Sequence, residues 1–187
     1  LYSKACDSKS DYLNSQGKGS YTDPVAKYKE AIMKFDDYSK KYNKDPKGYY
    51  MMGHCYYGIY ELDVLKHMFE KSPLAVGELS QAIEAFKRAI NFSPSYVEGH
   101  YYLARCYYQQ GNWIKSREEL SIARKFLSKM TDSKKKSSWK ENIDKASDSF
   151  FEPVYVASAR GSSVEFVNNT DENVNIEING KTLDSIS

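Results

Sequence analysis

The chain has 187 residues, 41% of them hydrophobic and 28% charged, which is the composition of a folded globular protein of one large domain or a domain plus an appendage. Its 27 basic and 25 acidic residues leave a net charge of +2, so no global field favours nucleic acid. No apolar run reaches the roughly 18 residues that a membrane span needs.

The first residue is Leu1, not a start methionine, which suggests a mature or trimmed product whose leader or lipid anchor would lie outside this chain. Residues 1 to about 45 read as two helices around a break. "LYSKACDSKSDYL" is weakly helical, and Gly17, Gly19 and Pro24 punctuate the loop "NSQGKGSYTDP". Helix returns over "VAKYKEAIMKFDDYSKKY", where Tyr28, Ile32, Phe35 and Tyr38 share one face and Asp23 with Pro24 marks the start. Pro46 opens the long helix "KGYYMMGHCYYGIYELDVLKHMF". A turn at "EKSPLAVGEL" leads to "SQAIEAFKRAINF", which ends at Ser93-Pro94. "SYVEGHYYLARCYYQQ" is the next helix, Gly111 breaks it, and "WIKSREELSIARKFLS" follows. Residues 131–150 form one more helix, with Trp139, Ile143, Ala146 and Phe150 as a single apolar stripe, the pattern of a solvated outer cap.

After Glu152-Pro153 the pattern changes to strand alternation in "SVEFV" and "NVNIEI", and Asn179-Gly180 signals a tight hairpin into "KTLDSI". Residues 151–187 are therefore expected to be a small β-hairpin-containing tract. Three short strands are marginal alone. They pack on the helices, pair with another chain, or belong to a domain cut short at Ser187.

The helical part repeats itself. Met52-Gly53 and Tyr56 recur 51 residues on as Leu103-Ala104 and Tyr107, and Cys55 recurs as Cys106. Ala82, Phe86 and Ala89 recur 34 residues on as Ser116, Leu120 and Ala123; the same three positions, 51 residues back, are Ala31, Phe35 and Tyr38. The difference is an insertion in the earlier copy, an extension at about 61–80. A 34-residue, two-helix unit with a large-small pair, a Tyr, and Ala-x3-Phe-x2-Ala-x4-Pro resembles the tetratricopeptide repeat. The resemblance covers about 12–130 plus the capping helix, and Ser116 departs from its usual Ala. It implies a mainly α fold over 1–150: about three stacked helical hairpins and a cap, with small residues where helices approach closely.

Cys55 and Cys106 then lie on successive first helices, whose axes are at least about 8–10 Å apart. That is too far for a disulfide, whose Cα atoms lie within about 7 Å. Both are expected to be reduced packing thiols. His54, His67 and His100 form no metal-binding pair, and no phosphate loop, nucleophile elbow or CxxC is present, so neither cofactor nor metal is expected and the chain reads as no enzyme. "SKKKSSWK" is read first as a solvated helix start, with anionic lipid or nucleic acid on Lys134, Lys135 and Lys136 as the rival. Asn91-Phe92-Ser93 and Asn168-Asn169-Thr170 match the glycosylation pattern, which is common by chance.

The resemblance also implies a concave groove, lined by the first helix of each repeat, where a partner protein binds. Carried over by position, its lining is Lys47, Tyr50, His54 and Tyr57, then Glu98, Tyr101, Arg105, Tyr108 and Gln109. Tyr50 pairs with Tyr101, Tyr57 with Tyr108 and His54 with Arg105, placing amphipathic rings beside donors. The set lacks the Lys/Asn/Arg carboxylate clamp of chaperone-binding members. The 17 tyrosines suit such a surface, or reflect an AT-rich genome. The leading expectation is a non-enzymatic interaction scaffold with a protein partner and no nucleic acid. Its rival is a small-ligand or lipid-binding envelope protein with a closed Tyr-lined pocket. "VNIEINGKTL" is faintly similar to the PEGA-type β module, which points to a periplasmic or membrane-anchored bacterial lipoprotein, with a cytoplasmic site as the alternative.

Overall fold

A computed structural model describes residues 1–71, 74 and 76–150, and two strands near the C-terminus. The helices run in chain order as α1 (Tyr2–Asn14), α2 (Thr22–Lys41), α3 (Pro46–Glu70), α4 (Gly77–Phe92), α5 (Val97–Gln109), α6 (Trp113–Ser128) and α7 (Ser133–Phe150). The strands β1 (Val174–Ile178) and β2 (Lys181–Ile186) pair antiparallel, with Ile176 opposite Leu183 and Ile178 opposite Lys181. The expected strand "SVEFV", the Asn179-Gly180 turn and the rest of the expected β tract lie outside the described residues.

Local chemistry sets the helix ends. Asp45 caps α3 by accepting from the Lys47 N–H at 2.9 Å, with Pro46 in the first position, where a missing N–H does no harm. Asn112 caps α6 by accepting from the Lys115 N–H at 3.2 Å, after Gly111 turns the chain at φ 73°. α2 starts at Thr22, at the Asp23-Pro24 pair that marks a helix start in the sequence: Pro24 is accepted in a first turn and Ser20 Oγ takes the Asp23 N–H at 3.2 Å.

Each helix packs on the next in chain order, and first helices also meet, α1 with α3 and α5 with α7. Three apolar clusters fill the layers, around Tyr28 and Leu62, around Phe86 and Leu103, and around Leu120 and Ile143. The repeated small residues do what close packing needs. A Cβ on Gly53 would stand 2.6 Å from the Phe86 ring, and one on Gly58 would stand 2.6 Å from Tyr28. Ser116 is fully buried, and its Oγ donates to the Ala104 carbonyl at 2.9 Å, so the departure from Ala ties two helices of one repeat together. Cys55 and Cys106 are free, fully buried thiols in separate clusters. Burial pushes the Cys55 thiol up to about 12 and the Cys106 thiol up as well.

The inserted stretch begins as an extension of α3. That helix runs about three turns longer than its counterpart α5 and covers the α1–α2 loop. Tyr21 donates to Asp63, Tyr12 donates to Glu70 at 3.1 Å, and the Phe69 ring meets Tyr12 edge-on at 6.0 Å. Lys66 Nζ stands 4.4 Å over the Tyr21 ring. Met68, Leu74 and Val76 remain exposed.

Candidate functional site: the aromatic inner face

The first helices α1, α3, α5 and α7 stand side by side, and α3 and α5 meet chiefly through long side chains. Residues spaced three or four apart on each helix project to one face. This builds a floor of rings. Tyr50 from α3 meets His54 at 4.5 Å, Tyr96 at 5.0 Å and Tyr102 of α5 at 6.0 Å between centroids. The His54 ring lies 4.0 Å from Tyr102, and its Nδ1 is 3.4 Å from the Tyr2 hydroxyl. Tyr101 meets Tyr102 at 5.1 Å and Trp139 of α7 at 5.4 Å. Edge-to-face contacts of this kind hold the rings in fixed orientations.

Electrostatics keep the floor uncharged. Burial and the Arg105 charge push His54 down to about 4, so its imidazole is neutral at physiological pH. Burial likewise raises the Tyr50, Tyr57 and Tyr102 phenols, which stay protonated as donors.

Beside the floor, α1, α3 and α5 frame a cleft of ≈ 340 Å³ whose walls include Lys9, Leu13, Tyr57, Glu61, Arg105 and Gln109. Glu61 joins Lys9 at 2.5 Å and Arg105 at 3.6 Å. The Arg105 guanidinium lies over Tyr57 at 5.0 Å and Tyr102 at 5.5 Å. Tyr60 donates to Gln109 at 3.4 Å. The cleft sets Lys9, Glu61 and Arg105 beside the apolar side chains of Leu13, Val64 and Leu65.

The nine expected lining residues therefore divide. Tyr50, His54 and Tyr101 sit in the floor. Arg105 and Gln109 join the cleft. Lys47 is exposed in the first turn of α3, and Glu98 is half-buried in the first turn of α5. Tyr108 meets Trp113 of α6 at 5.0 Å. Tyr57 is 4% exposed: most of its ring packs in the core beneath Arg105, and only its edge lines the cleft. Tyr50 and His54 meet Tyr102, because α5 turns Tyr102 toward α3 and Tyr101 toward the cap. Position matching missed Tyr102, whose counterpart is Met51, and missed Tyr2, Lys9 and Glu61. The Trp139 stripe of the cap was the one signal that α7 contributes a ring here.

Among the described residues, no group of three metal-ligating side chains occurs, and no helix is long and apolar enough to cross a membrane. A family model described as TPR repeat matches residues 74–111, the stretch holding α4, α5 and the turn between them. No curated protein matches the chain. Residues 74–111 are thus a tetratricopeptide-repeat segment, and the run of helices around it is consistent with such repeats.

Proposed function

We propose that the chain is a non-enzymatic scaffold that holds a partner protein against the inner face of α3, α5 and α7. Tetratricopeptide repeats generally mediate protein–protein contact. The observation that carries the reading here is the ring floor of Tyr50, Tyr101, Tyr102 and Trp139, half-buried and fixed by mutual edge contacts. Rigid amphipathic rings lose little entropy on binding, and aromatic and Arg side chains dominate interface energy. The exposed Met68, Leu74 and Val76 in the insertion of the second repeat, and the edges of the β1–β2 pair, are further docking surfaces on this reading.

The test is affinity capture from native extract with wild type beside Tyr101→Ala/Arg105→Ala, both checked by circular dichroism. Truncating a hot spot costs about 2 kcal/mol or more, roughly thirtyfold in affinity. A partner retained by wild type and lost by the variant supports the groove. The same partner retained by both moves binding to the α3 extension or the β1–β2 pair.

A further inference from the structure

We infer that the cleft between α1, α3 and α5 receives an acidic side chain of an extended partner peptide, and that Glu61 holds its place until that carboxylate arrives. The inference rests on the groove reading above and narrows it to a partner chemistry.

Two cations face one carboxylate here. Glu61 offers Oε2 to Lys9 Nζ at 2.5 Å and Oε1 to Arg105 Nη2 at 3.6 Å. Both of its oxygens are committed, yet the three groups leave one net positive charge at the cleft wall. The Arg105 contact is longer than a hydrogen bond, so Glu61 does not fill the guanidinium fork as a bidentate carboxylate would. The fork is nevertheless oriented. Tyr57 and Tyr102 hold the guanidinium over their rings at 5.0 and 5.5 Å, and a stacked arginine is preset for planar, two-point recognition. The three side chains are 25%, 34% and 30% exposed, so an incoming group reaches them. The cleft also has an apolar wall of Leu13, Val64 and Leu65, which suits an apolar residue next to the acidic one. A free ≈ 340 Å³ beside the charges has room for both.

Exchange then follows simple competition. A partner carboxylate takes the Arg105 fork, Glu61 keeps Lys9, and the charge count in the cleft balances. Glu61 weakens every acidic ligand by occupying the site first. Its removal should strengthen binding, the opposite of what loss of a contact residue does.

The test selects a random heptapeptide display library against the full chain, then measures the recovered peptides by fluorescence anisotropy with wild type, Glu61→Gln, Arg105→Gln, Arg105→Lys and Tyr101→Ala. Thermal midpoints confirm folding, and Glu61→Gln, which keeps the side-chain shape, decides alone if an Arg105 variant unfolds. The expected result is peptides with Asp or Glu beside an apolar residue. Their affinity falls roughly tenfold in Arg105→Gln, the worth of a hydrogen bond to a charged group. It falls less in Arg105→Lys, and rises about threefold in Glu61→Gln, the scale of a half-exposed ion pair. Recovered peptides without acidic residues, or no gain in Glu61→Gln, overturn the inference. If such peptides still weaken in Tyr101→Ala, the groove reading survives without this subsite. If acidic peptides bind but ignore Tyr101→Ala and Arg105→Gln, or if the library yields no binder, both readings fall.

Discussion

His100 and Glu119 form a buried clasp between α5 and α6: Nδ1 of the ring lies 2.6 Å from a Glu119 carboxylate oxygen. The other ring nitrogen, Nε2, lies 2.9 Å from the Pro94 carbonyl in the α4–α5 turn. Both neighbours are acceptors, so the ring satisfies them only when both nitrogens carry protons. Phe126 of α6 stacks on the same ring at 5.9 Å, and Lys129 Nζ stands 5.8 Å from the Phe126 ring centroid.

This clasp makes stability depend on pH. Burial opposes the charged ring, but the hydrogen bonds to Glu119 and Pro94 outweigh it, and the His100 pKa is raised above its ordinary 6.5. A raised folded value means the stabilisation is full below the unfolded pKa and is lost as pH rises through the folded one. The expected outcome is a thermal midpoint that declines as pH rises above about 6.5. His100→Gln should flatten that slope and lower the midpoint at acidic pH, by about 1.5–3 kcal/mol of stability. Calorimetry across that range checks both.

The Gly53–Phe86 contact sets a steric limit. A Cβ at Gly53 would stand 2.6 Å from a ring that is fully buried. Gly53→Ala gains helix propensity of about 1 kcal/mol, but overpacking of a filled core costs about 1–3 kcal/mol. Net destabilisation is expected, read as a lower urea midpoint with unchanged m.

The thiols should separate by reactivity. Cys6 is half-buried, with Sγ 3.4 Å from the Tyr28 hydroxyl, whereas Cys55 and Cys106 are fully buried. The thiolate is the reactive form, and burial pushes Cys55 up to about 12. Under native conditions a thiol reagent should label Cys6 alone. Cys55 and Cys106 should label only as fast as the helices unfold, which mass spectrometry of a time course resolves.

The α3 extension depends on its tyrosine contacts. Asp63 is 8% exposed, burial raises its pKa, and the Tyr21 hydroxyl is its hydrogen-bond donor. Tyr21→Phe leaves that carboxylate without its donor and should cost about 1–3 kcal/mol. Tyr12→Phe, at the more exposed Glu70, should cost less. Urea unfolding of the two variants checks the order, and Tyr21→Phe with Asp63→Asn should recover part of the loss because the buried charge is gone.

Much of this molecule is legible along the chain. Helix ends follow from local groups such as Asp45, Pro46, Asn112 and Gly111, whose effects act within a few residues. The repeat is legible because Gly53, Ala82, Phe86, Ala104 and Ala123 each meet the same steric demand in successive copies. The reduced state of Cys55 and Cys106 followed from helix spacing alone. The TPR-repeat match over residues 74–111 falls on α4 and α5, which carry Ala82, Phe86 and Ala104.

The site was less legible. Position matching placed Tyr50, His54, Tyr101 and Arg105 on the inner helices, but it could not tell surface from core at Tyr57. It also could not say that Tyr102 is the ring joining α3 to α5. Exposure depends on the rotation of each helix and on what crosses above it, and a residue's own periodicity does not encode its neighbour's rotation. Lys9 and Glu61 are 52 residues apart, and Glu61 and Arg105 belong to different hairpins. Sequence by itself determined the helices, their order and the small residues that let them stack, because those depend on short-range sterics and capping. Only the tertiary structure decided which rings form the floor, which charges meet in the cleft and where the α3 extension lies. Those contacts arise when long side chains from separate hairpins converge, and convergence is a property of the assembled array.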